Sequence, residues 1–306
     1  MRKPAITLIA VPGRRQQTID VAVEADRQGF PGVWIPSPGE ALGLSGSLAM
    51  ATENIQIATS IQPIYLQNAS GLASYSSYLN EVSGGRFVLG LGVSHEPAMD
   101  RVGVINRGKP LSDIRQYVTD LRAADPKPDD PALGLPPLMF AALRNKMIAL
   151  SVELGVGTIF ANISVNDAAR AVAQIPAERR EAGYQIANMI PTIIDDDKEA
   201  AANRHRASLQ GYAMLPNYRN YWRQAGFEEE MDAFEAAIAD QNPQRIPELM
   251  SDRWLSSVTL YGPAAEVRDK TQEWFDAGVN TPILVPGAVK GGHLGGARKI
   301  LETFAD

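Results

Sequence analysis

No cysteine occurs among the 306 residues, and only three histidines do. The first absence excludes a disulfide framework, a thiolate metal site, an iron–sulfur cluster and a cysteine nucleophile. The second leaves little material for a histidine-rich metal centre, so no metal is expected. Positive charge is also short: 29 Lys and Arg face 35 Asp and Glu, a net of −6, with no long basic run. Nucleic acid, whose phosphates need clustered cations, is therefore not an expected partner. No uninterrupted apolar stretch approaches the roughly 20 residues that span a bilayer, so no membrane partner is expected either. The opening MRKPAITLIAVPGRR has a short apolar run without a small-residue cleavage site after it. It reads as a first strand rather than a signal peptide, and a cytoplasmic protein is the expectation.

What is present is alternation. Short apolar runs occur at residues 5–11, 32–36, 55–60, 86–91, 138–142, 157–161, 185–194 and 282–286. Their length, β-branched content and Gly/Pro boundaries favour buried parallel strands. Between them the period becomes helical. Leu72, Tyr75, Leu79 and Val82 form one stripe, Val267, Thr271, Trp274 and Phe275 a second, and Ala297, Ile300, Leu301 and Phe304 a third. Eight strand–helix pairs predict an α/β fold, a (β/α)₈ TIM barrel over residues 1–306, with a doubly wound open sheet as the competitor. The alternation breaks once, at residues 195–262, a helical and polar stretch with no separate core of its own, read as an insertion on the barrel. Residues 125–137 hold five prolines and read as a loop.

Several motifs fail on inspection. Residues 103–110, GVINRGKP, approach a phosphate loop but end in Pro110 where the magnesium-binding hydroxyl belongs, and no strand precedes them. Residues 90–95, GLGVSH, lack the third glycine of a dinucleotide fingerprint, and Pro97 follows too soon. Asp195, Asp196 and Asp197 precede a helix-forming run and read as caps rather than metal ligands. His205 sits in a polar helical run and is expected to be solvated.

A barrel places its chemistry at the C-terminal ends of its strands. Those positions hold Pro12 and Gly13, Ser37 and Glu40, Ser60 to Gln62, Gly92 to His95, Arg144 and Asn145, Asn162, and Lys290 to His293. The set is rich in glycine, hydroxyls and amides and poor in paired carboxylates. It suits cradling a flat cofactor and its phosphate, and it suits two-carboxylate glycoside hydrolysis badly.

Residues 55–97 read IQIATSIQPIYLQNASGLASYSSYLNEVSGGRFVLGLGVSHEP. This resembles the central signature of the bacterial luciferase-like superfamily: a third strand ending in TSI, a helix, then SGGRFVLGLGVS. The GVSHEP ending resembles the branch that uses the deazaflavin coenzyme F420. The resemblance runs on more faintly through residues 107–123, 140–157 and 193–222. It implies a non-proline cis peptide at Ser60–Ile61 bracing one face of the cofactor's central ring. It implies that Gly92, Val93, Ser94 and His95 touch the ring or the start of its tail, and that Arg144 and Asn145 lie near the tail phosphate. Ser37 and Asn162 complete the expected cofactor-binding set. Relatives place an acid or a histidine directly after strand two. Here that position reads PSPGE, which leaves Glu40 or His95 as the candidate proton-transfer residue.

The resemblance implies hydride transfer between reduced deazaflavin and a small organic substrate. An FMN-dependent monooxygenase and a non-catalytic flavin-binding barrel are the alternatives. Tyr218, Tyr221 and Trp222 are candidate pocket walls or packing aromatics. Relatives commonly pair as homodimers through the helices after strands two and three, so a homodimer is expected.

Overall fold

The computed structural model describes residues 2–37, 40–104 and 107–305. Residues 38–39 of the segment after strand two, and 105–106 of the rejected phosphate-loop segment, lie outside them. Eight strands make the ring: β1 (Ala5–Thr7), β2 (Gly32–Ile35), β3 (Gln56–Thr59), β4 (Phe87–Gly92), β5 (Leu138–Ala141), β6 (Gly157–Ala161), β7 (Gln185–Ile194) and β8 (Thr281–Pro286). Neighbours pair in parallel along the chain. β8 closes the ring by pairing with β1 (Ala5↔Ile283) and with β7 (Thr281↔Ala187). The fold is therefore the expected α/β TIM barrel, and closure excludes the open sheet. Two short strands lie off the ring. Gln62–Pro63 pairs with β4 just past the end of β3. Leu260–Gly262, from the far end of the inserted helices, pairs with the upper half of β7 (Thr192↔Leu260).

Alternation along each strand sorts the interior into layers. At the N-terminal end, Gln185 donates to Gln56 Oε1 (2.9 Å) and approaches Thr281 Oγ1 (3.2 Å), closing the barrel floor. Above them Trp34, Val88, Met139, Ile159 and Ile283 fill the centre. Two residues further along the same inward faces the side chains shrink to Ser60, Gly90, Ala141 and Ala161. A wide core is thus capped by a layer too small to fill the mouth.

The SGGRF segment has a structural explanation. Gly84 and Gly85 take φ of +64° and +80°, a left-handed turn for which glycine carries no Cβ penalty. Arg86 then donates to the carbonyls of Ala49, Thr52 and Ile55 at 2.9–3.1 Å, pinning the loop before β3 to the start of β4.

Of the three helical stripes, the second and third are buried throughout. The first is corrected: Tyr75 is 40% exposed. The buried face of helix Ala69–Val82 runs instead through Leu72, Ser76 and Asn80. Ser76 satisfies itself on Leu72 O, and Asn80 donates to Pro131 O (2.8 Å) and Gly134 O (3.2 Å) of the proline-rich loop. Polar side chains with local partners are readily buried, and hydrophobicity alone misses them.

The inserted helices Lys198–Ala213, Pro216–Gln224, Glu228–Ala239 and Asp252–Val258 pack through aromatics, with Trp222 edge-on to Trp254 at 4.8 Å. Asp197 caps the first of them, accepting from Ala200 N at 2.9 Å. Among the described residues no cluster of potential metal ligands occurs. No described helix is long and apolar enough to cross a membrane.

His205 is not solvated but 2% exposed, with Nε2 3.1 Å from Leu260 O. A carbonyl only accepts, so Nε2 carries the proton of a neutral ring. Burial pushes the group down to about 4. The unfolded chain takes up a proton near pH 6.5 and the folded chain only near 4. Stability that is fully present above pH 6.5 is therefore lost as pH falls towards 4, up to about 3 kcal/mol. The fall in melting temperature between pH 7 and 4.5 is expected to be several degrees smaller in His205→Gln than in the parent. Equal falls would show that this imidazole does not drive the loss.

Candidate active site

A cavity of about 360 Å³ opens at the C-terminal mouth of the barrel. A second hollow, about 430 Å³, lies at the opposite end. The Gln56 and Gln185 amides in the second are already bonded to each other. The candidate site is the C-terminal mouth, which Ser60, His95, Tyr212 and Tyr218 line.

The end of β3 forms one side. The Ser60–Ile61 peptide is cis, as the resemblance implies. Ser60 N donates to Ile35 O at 2.8 Å, which holds the bend against β2. The Ser60 hydroxyl is buried and has no partner among the described residues. Ile61 leans over Gly92, where a Cβ would stand 3.0 Å from both Ile61 Cγ1 and Ala141 Cβ. The glycine ending β4 thus makes room for the Ile61 side chain.

The loop after β4 turns through Ser94, whose φ of +61° is left-handed and rare outside glycine and asparagine. That turn leads directly into His95, whose ring packs against Tyr212 (5.6 Å) and Tyr218 (5.5 Å) of the inserted helices. Burial lowers the His95 pKa, so the ring is neutral near pH 7. The two phenols stand edge-on to each other at 5.1 Å. Both have pKa values raised by burial and both face the Asn162 side chain. Asn162 is set from behind. Its carbonyl accepts from Trp222 Nε1 at 2.9 Å, and its N–H donates to Met189 O at 3.1 Å.

On the far rim Arg144 precedes helix Asn145–Leu154. Its guanidinium is exposed and forms no ion pair among the described residues. An unpaired cation at a helix N-terminus suits an anion. Val93, Leu143, Met147, Ile159 and Met189 supply apolar wall, and no carboxylate lines the cavity among the described residues.

The structure brings Ser37, Ser60, Ile61, Val93, Ser94, His95 and Arg144 to this cavity. Gly92 supports it from beneath. Asn145, the first residue of its helix, is exposed outside the lining, and Asn162 stands behind the two tyrosines. Glu40 is not in the lining either: its carboxylate accepts from Gly43 N at 3.3 Å and caps helix Ala41–Ala51. Gly292 and His293 lie outside the lining and open helix Gly292–Thr303, with His293 Nδ1 3.1 Å from Pro286 O. Of the aromatic candidates, Tyr218 reaches the cavity. Tyr221, whose hydroxyl accepts from Ser164 N at 3.1 Å, and Trp222 pack behind it. Tyr212 had no signal in the sequence, and Asn217 only as the start of the aromatic-rich stretch that holds Tyr218. Only the fold of the insertion carries them to the mouth.

A profile of the family described as luciferase-like monooxygenase matches residues 8–281. This chain belongs to that family. The match spans the β3 bend and the glycine-bearing β4. The luciferase-like chain is 30% identical over 177 residues to a 5,10-methylenetetrahydromethanopterin reductase of Methanolobus tindarius, the match covering 52% of this chain and 54% of that one. The chain thus matches about half the length of that relative. A reductase of the same name from Archaeoglobus fulgidus is 23% identical over 302 residues, 89% of this chain and 90% of its own. Among solved structures, the coenzyme F420-dependent tetrahydromethanopterin reductase from Methanopyrus kandleri superposes with a TM-score of 0.74 at 18% identity, covering 99% of this chain and 98% of its own. Monooxygenase RslO1 from Streptomyces bottropensis gives 0.65 at 15% identity, covering 99% and 97%. These last two likenesses concern the fold.

Proposed function

We propose that this luciferase-like barrel is a coenzyme F420-dependent oxidoreductase acting on a small organic substrate. The observation that carries the reading is the mouth itself: a shelf of Ile61 above Gly92 and Ala141, beside the Ser60 hydroxyl, with Arg144 at a helix N-terminus on the rim, neither Ser60 Oγ nor Arg144 having a partner among the described residues. These residues fit a flat ring with an anionic tail. A relative of Mycobacterium tuberculosis named as a putative coenzyme F420-dependent oxidoreductase, 22% identical over 322 residues, supports the choice of cofactor.

The deazaflavin, when bound, supplies two electrons as hydride and does not readily activate oxygen. The protein's own part is positioning and exclusion of water. Ile61, Val93 and Ser94 would hold the ring, Ser60 would offer it a hydrogen bond, and Arg144 would hold the tail phosphate. The apolar wall of Leu143, Met147 and Met189 would help to exclude water from the bound ring.

An FMN-dependent monooxygenase is the second reading, because a fold neighbour named as a Baeyer–Villiger monooxygenase is described in complex with FMN. Titration of the purified protein with oxidised deazaflavin and with FMN decides between them. Tighter deazaflavin binding is expected. Micromolar FMN binding with none for the deazaflavin would reverse the reading.

We further propose a homodimer through helices Ala41–Ala51 and Ala69–Val82. Met50 (75% exposed), Tyr78 (56%) and Tyr75 (40%) project from these neighbouring helices. Exposed large apolar side chains grouped on one face mark an interaction surface. Sedimentation of the parent chain is expected to give twice its 33.1 kDa. The pair Met50→Glu and Tyr78→Glu should yield monomer. A monomeric parent refutes the dimer.

A further inference from the structure

We infer that Tyr212 and Tyr218, set by Asn162, are the hydrogen-bond donors for the carbonyl oxygen of an uncharged ketone or aldehyde, and so define the substrate class. The inference rests on the reading of the mouth cavity as the active site and deepens it.

Three observations carry it. First, the lining holds no carboxylate among the described residues, and its one charged side chain is Arg144 on the rim. A cationic substrate would be desolvated there without compensation. Second, the polar groups deeper in the cavity are neutral. The phenols retain their protons near pH 7 because burial raises both, and the buried His95 is uncharged. A phenol that keeps its proton can donate a hydrogen bond to a neutral acceptor. Third, the two rings that carry the hydroxyls are held by packing. They meet each other at 5.1 Å and His95 at about 5.5 Å. Both face the Asn162 amide, whose backbone is itself fixed by Trp222 Nε1. Donors held in place by packing are pre-organised and lose little entropy on binding. The apolar remainder of the cavity accepts a hydrocarbon body.

The Glu40 carboxylate, by contrast, is held at the start of its own helix. The inserted helices therefore supply from above donors that Glu40 does not.

The test uses the cofactor-free protein and three probes of similar shape: cyclohexanone, methylcyclohexane and cyclohexylammonium. Affinities are read by saturation-transfer NMR and by quenching of the indole emission, Trp222 lying 5.3 Å from the Tyr218 ring. The parent is expected to prefer the ketone to the hydrocarbon by about tenfold and to reject the ammonium ion. Tyr212→Phe, Tyr218→Phe and the double variant keep the rings and remove the hydroxyls. At least one single variant and the double variant should lose the ketone preference, with hydrocarbon binding unchanged. Deazaflavin affinity should change less than about threefold, which separates a substrate role from a collapsed site. A parent without ketone preference, a preference that survives in the double variant, or a preference for the ammonium ion overturns the inference. Failure of deazaflavin to bind while the ketone preference holds would instead overturn the cofactor assignment alone.

Discussion

Alanine at position 90 is expected to leave no folded protein. A Cβ on Gly90 would stand 1.9 Å from Thr59 O and 2.7 Å from Ile159 Cδ1. The isoleucine terminus can swing away. The carbonyl cannot, because it belongs to the backbone at the end of β3. The same contact is locked from the other side: Thr59 Oγ1 donates to Gly90 O at 2.8 Å and accepts from Gly90 N at 2.9 Å. Relieving the clash means parting β3 from β4 and losing both bonds inside the barrel. Such overpacking belongs to the rare substitutions that cost more than about 4 kcal/mol, against a total stability of about 5–15 kcal/mol. Circular dichroism and soluble yield check the outcome. Gly85→Ala is the control. That site is left-handed at φ +80° with nothing within 4 Å of a new Cβ, so a cost of about 1 kcal/mol and a folded protein are expected. Native-like folding of the Gly90 variant would mean that the β3–β4 contact is looser than described.

Phenylalanine at position 161 is expected to abolish cofactor binding while leaving the fold intact. Ala161 ends β6 and lines the mouth cavity beside Ala141. Its neighbour two residues earlier on the same face, Ile159, already fills the barrel centre. A longer side chain at 161 therefore points into the open space of the mouth, where it meets no packed core. The melting temperature should stay within a few degrees of the parent, since surface-of-cavity additions displace only solvent. A ring in that space excludes a second ring by simple volume, and deazaflavin affinity should fall at least about a hundredfold. Fluorescence titration of the two proteins measures it. Unchanged affinity would place the cofactor elsewhere, and the proposed function would fail with it.

Much of this architecture was legible in the chain. All eight apolar runs became ring strands, with ends shifted by a few residues; the run at residues 5–11 shrinks to Ala5–Thr7. The stripes at 267–275 and 297–304 are buried as their spacing implies. The failures share a cause. Tyr75 was read as core because it falls three residues after Leu72 on an apolar stripe, whereas the buried positions beside it, Ser76 and Asn80, are polar and satisfied by carbonyls. His205 was read as solvated because its neighbours in sequence are polar, whereas its partner, Leu260 O, lies 55 residues away. Local composition predicts burial poorly wherever a long-range hydrogen bond compensates a polar group.

The chain alone determined the barrel and the family signature, because period-2 and period-3.6 patterning and glycines at close approaches are written locally. Whether those glycines were needed for turning or for contact only the packed barrel decided. Gly84 and Gly85 bend the chain, whereas Gly90 and Gly92 admit Thr59 O and Ile61. The composition of the mouth was likewise a tertiary outcome. Tyr212 and Tyr218 stand more than a hundred residues from His95 in sequence, yet their rings are packed against it. Proximity of that kind is set by how the inserted helices dock on β7, where Leu260–Gly262 fastens them. No periodicity within a segment encodes the distance between two segments, which is why the scaffold was readable in advance and the polar handle of the site was not.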